Sequence, residues 1–192
     1  FIYKILHAIK LAEYCRTSLP KYNFVPVYYM GSEDADLEEL GHFHLGGEKL
    51  TWNTEQSGAV GRMKVDKAFL KLIDLVKGQL AVLSFGEEIL SLIKACYTEG
   101  VAIQDATFQL VSKLFGEWGL IVLIADSTEL KNQVVKIFED DLLNETASVV
   151  VEQTAARLQG AGYKLQANPR EIKLFYLKGG LRDRIVRAKD KF

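Results

Sequence analysis

Three carboxylates fall within four positions in the run Gly31-Ser32-Glu33-Asp34-Ala35-Asp36, directly after an apolar stretch. Such a group can bind a substrate ammonium, coordinate Mg²⁺ or act as a general base. The same residues also suit a helix start, with Ser32 as N-cap and the acids complementing the helix dipole. Two histidines follow in Gly41-His42-Phe43-His44. On a strand, alternate side chains share a face, so both rings would point one way and suit a metal or a phosphate. Hydrogen-bonded or surface histidines explain the pair as well, because no third ligand adjoins it. His7, on the first helix, carries no functional reading.

Trp52-Asn53 and Gly58-Ala59-Val60-Gly61-Arg62 form a second polar stretch bearing glycines. Glycine lets a ligand approach the backbone, and Arg62 can bind a carboxylate or phosphate bidentately. A plain tight loop accounts for the same residues. The stretch is no P-loop, since Gly-Lys-Ser/Thr is lacking, and no dinucleotide-binding Gly-x-Gly-x-x-Gly is present. Near the end, Asn168-Pro169-Arg170-Glu171 forms a turn that directs Asn168 and Arg170. From Lys164 onward nine Lys or Arg face three Asp or Glu, so this tail can receive an anion. Arg182, Arg184 and Arg187 read as a solvated basic face.

These residues need elements to hold them. The chain opens with a helical pattern in which Ile2, Ile5, Leu6, Ile9, Leu11 and Ala12 share a face, ending near 17–20. Residues 24–30 read as a strand, with Pro26 removing one ladder donor. An acidic turn or short helix at 33–40 and a short strand at 48–53 follow. Three amphipathic helices are marked by Val65, Phe69, Leu72, Val76 and Leu80, by Ile89, Ile93 and Cys96, and by Ile103, Ala106, Leu110 and Leu114. Residues 120–125, apolar throughout, suit a parallel strand covered on both faces. Asp126 then stands at a helix start with Glu129 as its capping-box partner, and one or two helices run to about Gln159. The order gives an α/β fold with a mostly parallel sheet. Ligands bind beyond the carboxyl ends of such strands, where loop 31–34 and Asp126-Ser127 lie.

Composition narrows the function classes. The chain has 192 residues, 48% of them hydrophobic, and a net charge of −1, so no global field recruits nucleic acid or an anionic membrane. No apolar run approaches the ~20 residues of a bilayer span. Cys15 and Cys96 lack a Cys-x-x-Cys pair or a histidine at ligand spacing, so they read as two reduced thiols and no metal is expected. The chain begins at Phe1 within a helical pattern and stops within a charged alternating stretch, which reads as an internal piece of a longer protein.

Five ordered stretches carry a resemblance: FVPVYYMGSEDADLEE at 24–39, GEKLTW at 47–52, QSGAVGRM at 56–63, LIADSTELK at 123–131 and QANPREIKLFY at 166–176. Together they resemble the cysteine-adding enzyme of bacillithiol synthesis, the BshC family of cysteine ligases. The resemblance spans nearly the whole chain. It implies a Rossmann-like core related to class I aminoacyl-tRNA synthetases, with a helical insertion, and a coiled coil beyond this stretch. On that basis 1–62 would start the core, 63–118 would be the helical segment, and 119–192 would return to the core with a basic extension.

The implied reaction joins L-cysteine to the amino group of glucosaminyl-malate, the last step of bacillithiol synthesis. Onto matching positions the resemblance carries Ser32, Glu33, Asp34, His42, Asn53, Arg62, Asp126, Asn168 and Arg170 as substrate-binding candidates, without catalytic roles. Gly41 departs from the Asn expected before His42. ATP or ADP is the implied nucleotide, the cytoplasm the implied compartment, and a homodimer the implied full-length assembly. Nucleic acid and membrane are not expected partners, and the isolated stretch is expected to lack turnover. A different nucleotidyl- or aminoacyl-transferring enzyme on the same core, or a non-catalytic partner-binding module, are the rival readings.

Overall fold

The computed structural model describes residues 1–166 and 170–188. The chain divides into two units, Phe1–Ala125 and Asp126–Phe192.

In the first unit, helix α1 (Ile2–Ser18) lays a narrow stripe on the core. Ile5, Ile9 and Ala12 recur at i, i+4 and i+7, and Ile5 packs with Val111, Phe115 and Leu120. Ile2, Leu6 and Leu11, expected on the same face, remain exposed because the contacting stripe is narrower than the apolar arc. Strand β1 (Val27–Met30) starts just past Pro26, whose carbonyl accepts the Ile121 N–H at 3.0 Å. Proline has no donor to extend the ladder upstream.

The unit continues with helix α2 (Leu37–Leu40) and strands β2 (His42–Leu45) and β3 (Glu48–Thr51). β2 and β3 form an antiparallel hairpin. Its two-residue loop, Gly46-Gly47, has φ of 58° and 85°, which suits a primed hairpin turn and glycine best. Helices α3 (Lys67–Leu80), α4 (Gly86–Cys96) and α5 (Ile103–Phe115) match the three periodic patterns. Val65 precedes α3 and is itself buried. Ile73, Val76 and Leu90 join α3 to α4, and Leu45 and Leu50 bring the hairpin onto them.

Strand β4 (Ile121–Ile124) pairs parallel with β1, Val27 opposite Ile121 and Met30 opposite Ile124. Tyr28 and Val122 pack onto the Ile5 cluster, while Val27, Tyr29 and Ile121 are exposed. Cover on both faces of this apolar strand is therefore not met: among the described residues one face of the parallel pair carries helices. The α/β character holds. β1 and β4 form the expected parallel sheet, and the antiparallel pairs are separate two-stranded sheets.

In the second unit, α6 (Thr128–Gln133), α7 (Val135–Leu143) and α8 (Thr146–Gly160) replace the expected one or two helices. The break between α7 and α8 comes at Glu145, whose φ is 55°. There the Asp140 carboxylate accepts both the Asn144 amide and the Thr146 hydroxyl at 3.0 Å. Strands β5 (Phe175–Lys178) and β6 (Leu181–Arg184) form a hairpin in the basic tail. The arginines there are not simply solvated. Arg182 lies 3.9 Å from the Phe175 ring centre, and Arg187 pairs with Glu145 at 2.9 Å. Both cysteines are free thiols, Cys96 buried and Cys15 half-buried. Among the described residues no helix is long and apolar enough to cross a membrane.

Candidate functional site

The acidic loop does not start a helix at Ser32. Asp36 caps α2, accepting the Glu39 N–H at 3.0 Å, and Ser32 is buried with 5% exposure. The physical reason is that loop 31–34 is stitched to the turn at 59–62. Val60 N–H donates to the Asp34 carbonyl at 2.7 Å, and Gly61 N–H donates to the Ser32 carbonyl at 3.0 Å. A Cβ at position 61 would stand 2.4 Å from that Ser32 oxygen, so the close approach requires glycine. Val60–Arg62 forms one 3₁₀ turn, which sets half-buried Arg62 beside the acidic loop. Glu33 is half-buried and Asp34 exposed.

Asn53 is held in the same unit by a carboxylate that the sequence reading did not select. Asp66 accepts the Trp52 indole N–H at 2.9 Å and the Thr54 hydroxyl at 2.8 Å, gripping both neighbours of Asn53. It also accepts the Phe69 N–H at 2.8 Å as the N-cap of α3. Trp52 is buried and meets Phe69 edge-on at 5.2 Å, while Asn53 is exposed. The signal for Asp66 was present: an Asp stands immediately before an apolar-periodic run.

His42 sits opposite Thr51 in the hairpin, and Trp52 N–H donates to the Gly41 carbonyl, so His42 adjoins the Asn53 segment. Its Nδ1 donates to the Glu38 carbonyl at 2.7 Å. The His42 and His44 rings meet edge-on at 5.6 Å. Among the described residues no group of three or more His, Cys, Asp or Glu can hold a metal ion.

Asp126 and Arg170 belong to the second unit. The cap of α6 falls one residue later than expected: Ser127 accepts the Leu130 N–H and donates to Glu129 at 2.7 Å. Asp126 instead forms a 2.6 Å ion pair with Lys131, its own side chain almost wholly buried. Arg170 has an exposed side chain, but its carbonyl accepts from the Ser148 hydroxyl and, at 3.2 Å, from Lys173 Nζ. Buried Asp141 accepts the Lys173 N–H at 2.7 Å and completes that anchor. Asn168 lies outside the described residues.

The model of the bacillithiol biosynthesis BshC N-terminal Rossmann-like domain matches residues 1–192. The chain belongs to the BshC family. A protein named "Putative cysteine ligase BshC" from Flavobacterium psychrophilum is 40% identical over 186 residues, covering 97% of this chain and 34% of that protein. Namesakes from Flavobacterium johnsoniae and Cytophaga hutchinsonii are 35% and 36% identical, each over 100% of this chain and over 36% and 34% of their own length. The chain thus spans about a third of these BshC relatives.

A nucleotide polyphosphate needs clustered N–H donors. At the acidic loop the N–H groups of Ser32, Asp34, Val60 and Gly61 are already engaged by backbone carbonyls, and that of Ala35 by Asp34 Oδ1. Two carboxylates stand beside them. The described residues of this loop do not fit ATP or ADP phosphates.

Asp66 gives the site a measurable electrostatic signature. Desolvation, the largest single influence, pushes its carboxyl pKa up. The hydrogen bonds from Phe69, Trp52, Thr54 and Gln56 outweigh it, leaving the pKa below the ordinary value. A carboxyl with a depressed folded pKa stabilises above its unfolded value of ~3.9 and loses that contribution as pH falls through the folded one. Asp66→Ala should cost about 1–2 kcal/mol at pH 7, from the lost cap and the orphaned indole N–H. Urea unfolding of both proteins should show the gap narrowing below about pH 4. A gap constant from pH 7 to pH 2.5 would contradict this account of Asp66.

Proposed function

We propose that this domain supplies part of the substrate site of a ligase that joins L-cysteine to the amino group of glucosaminyl-malate in the last step of bacillithiol synthesis. The family match across residues 1–192 is the observation that carries the reading. Its chemistry is amide formation: the cysteine carboxyl carbon bonds to the amino-sugar nitrogen as one of its C–O bonds breaks, and in net that oxygen leaves as water with two protons from the sugar ammonium. This condensation is uphill in water, so the whole enzyme must activate the carboxylate.

The acidic loop suits the cysteine ammonium, with Glu33 and Asp34 as charge-assisted acceptors. Arg62, set beside that loop by the two backbone bonds from Val60 and Gly61, suits a malate carboxylate. The whole protein acts in the cytoplasm, as a homodimer, on these two small molecules.

The test uses the full-length family protein, in this chain's numbering. Glu33→Gln and Asp34→Asn keep side-chain shape and should leave the melting temperature unchanged. Losing a charge-assisted contact costs ~1.5–3 kcal/mol, so kcat/KM for cysteine should fall about ten- to a hundredfold. Product is read by mass spectrometry. No bacillithiol from wild type under any nucleotide would sink the ligase reading. Specificity constants within twofold of wild type in both variants would remove the acidic loop from the site.

A further inference from the structure

Five candidates of the first unit, Ser32, Glu33, Asp34, Asn53 and Arg62, sit on three separate stretches of chain, 31–34, 53 and 59–62. A continuous polar truss links them. Its first member is Asp66, which grips Trp52 and Thr54 on either side of Asn53. Its second is Gln56. The Gln56 side-chain amide satisfies both main-chain groups of Lys64, accepting the Lys64 N–H at 2.7 Å and donating to the Lys64 carbonyl at 2.9 Å. The same Nε2 lies 3.3 Å from the Asp66 carboxylate, so the two members are joined. Lys64 follows the 59–62 turn after one residue, and that turn hands its Val60 and Gly61 N–H groups to the acidic loop.

We infer that Gln56 and Asp66 are positioning residues, which set Asn53, Arg62 and the acidic loop in register for the amino-sugar substrate. Neither needs to touch substrate. A side-chain amide paired with both main-chain groups of one residue acts as a one-residue strand pairing, and it fixes position and direction together. Asp66 has a further role as helix cap, whereas the Gln56 contacts serve only to tie segment 54–56 to segment 64–66. Gln56 is therefore the sharper probe. The inference rests on the ligase reading and is tested partly without it.

The experiment compares full-length wild type, Gln56→Ala and Val111→Ala, the last a core truncation outside the truss at a side chain with 0% exposure. Two readouts are taken well below each melting temperature. The first is amide hydrogen exchange of the peptide spanning 57–63, with the α5 peptide as a check that the fold is intact. The second is kcat/KM for glucosaminyl-malate. Gln56→Ala should speed exchange at 57–63 at least tenfold with α5 still protected, and should lower kcat/KM at least tenfold, since small displacements of positioning groups carry such losses. Val111→Ala should leave exchange at 57–63 and kcat/KM within twofold. Unchanged exchange at 57–63 in Gln56→Ala overturns the truss. Faster exchange with kcat/KM within twofold overturns positioning and leaves the ligase reading standing. Faster exchange with no wild-type product overturns the ligase reading, and positioning falls with it.

Discussion

Truncating Ile5 to alanine should cost the first unit about 2–5 kcal/mol, the range for deleting a buried aliphatic side chain that leaves a cavity. Ile5 is 1% exposed and is enclosed by Val111, Phe115 and Leu120. These come from α5 and the approach to β4, so the loss would loosen α1 from the layer that supports the parallel pair. Leu6, its neighbour in the same helix, is 41% exposed, and Leu6→Ala should change stability by about 0.5 kcal/mol or less. The comparison isolates burial from helix position, because both variants put alanine at adjacent residues of one helix. Urea unfolding of the 192-residue chain supplies both values. Equal costs at the two positions would show that α1 meets its core through a different face.

Removing Asp141 should cost the second unit about 3 kcal/mol. Stripping one partner from a buried charge pair costs ~3–5 kcal/mol, and the lower end applies because the Lys173 side chain is 35% exposed. Asp141→Ala also orphans the Lys173 N–H, which donates to the carboxylate at 2.7 Å. Asp141→Asn retains an acceptor for that N–H and should cost roughly half as much. Lys173 in turn supports the Ser148 hydroxyl at 2.9 Å and the Arg170 carbonyl. Limited proteolysis around 170–173 should therefore quicken in the alanine variant before global unfolding does. Resistance equal to wild type, with a stability change under about 1 kcal/mol, would remove Asp141 from the anchor.

Local patterns in the sequence foretold local structure well. The 3.6-residue spacing of Phe69, Leu72 and Val76 corresponds to α3, and the uninterrupted apolar run at 120–125 corresponds to β4. Caps were displaced by one or a few residues, at Asp36 in place of Ser32 and at Ser127 in place of Asp126. Both errors share a cause. Ser, Asp and Asn cap equally well in isolation, and which of them does so depends on what else competes for it. Ser32 is drawn down by the Gly61 backbone, a partner far along the chain, and Asp126 by Lys131.

The candidate residues were legible as types, whereas their connections were not. Nothing in the spacing of Gln56 and Lys64 announces a side-chain amide paired with a peptide group. Asp66 could be read as a helix start, but not as the acceptor for Trp52 and Thr54 on a distant loop. Such contacts arise only once tertiary packing has closed, so single-residue propensities carry no trace of them.

The pairing of β1 with β4 also bears on how the chain reaches its native state. Val27 finds Ile121 only after the hairpin and helices α2 to α5 between them have been spanned. Joining the ends of so long a segment carries a larger loop-closure entropy than the β2–β3 turn does, and parallel pairing offers no tight turn to start from. The intervening helices shorten the effective gap by folding locally first, with α5 delivering its Val111 and Phe115 face to the spot where both strands must meet. Topology thus predicts an order of assembly for the first unit: hairpin and helices early, the parallel pair β1–β4 last.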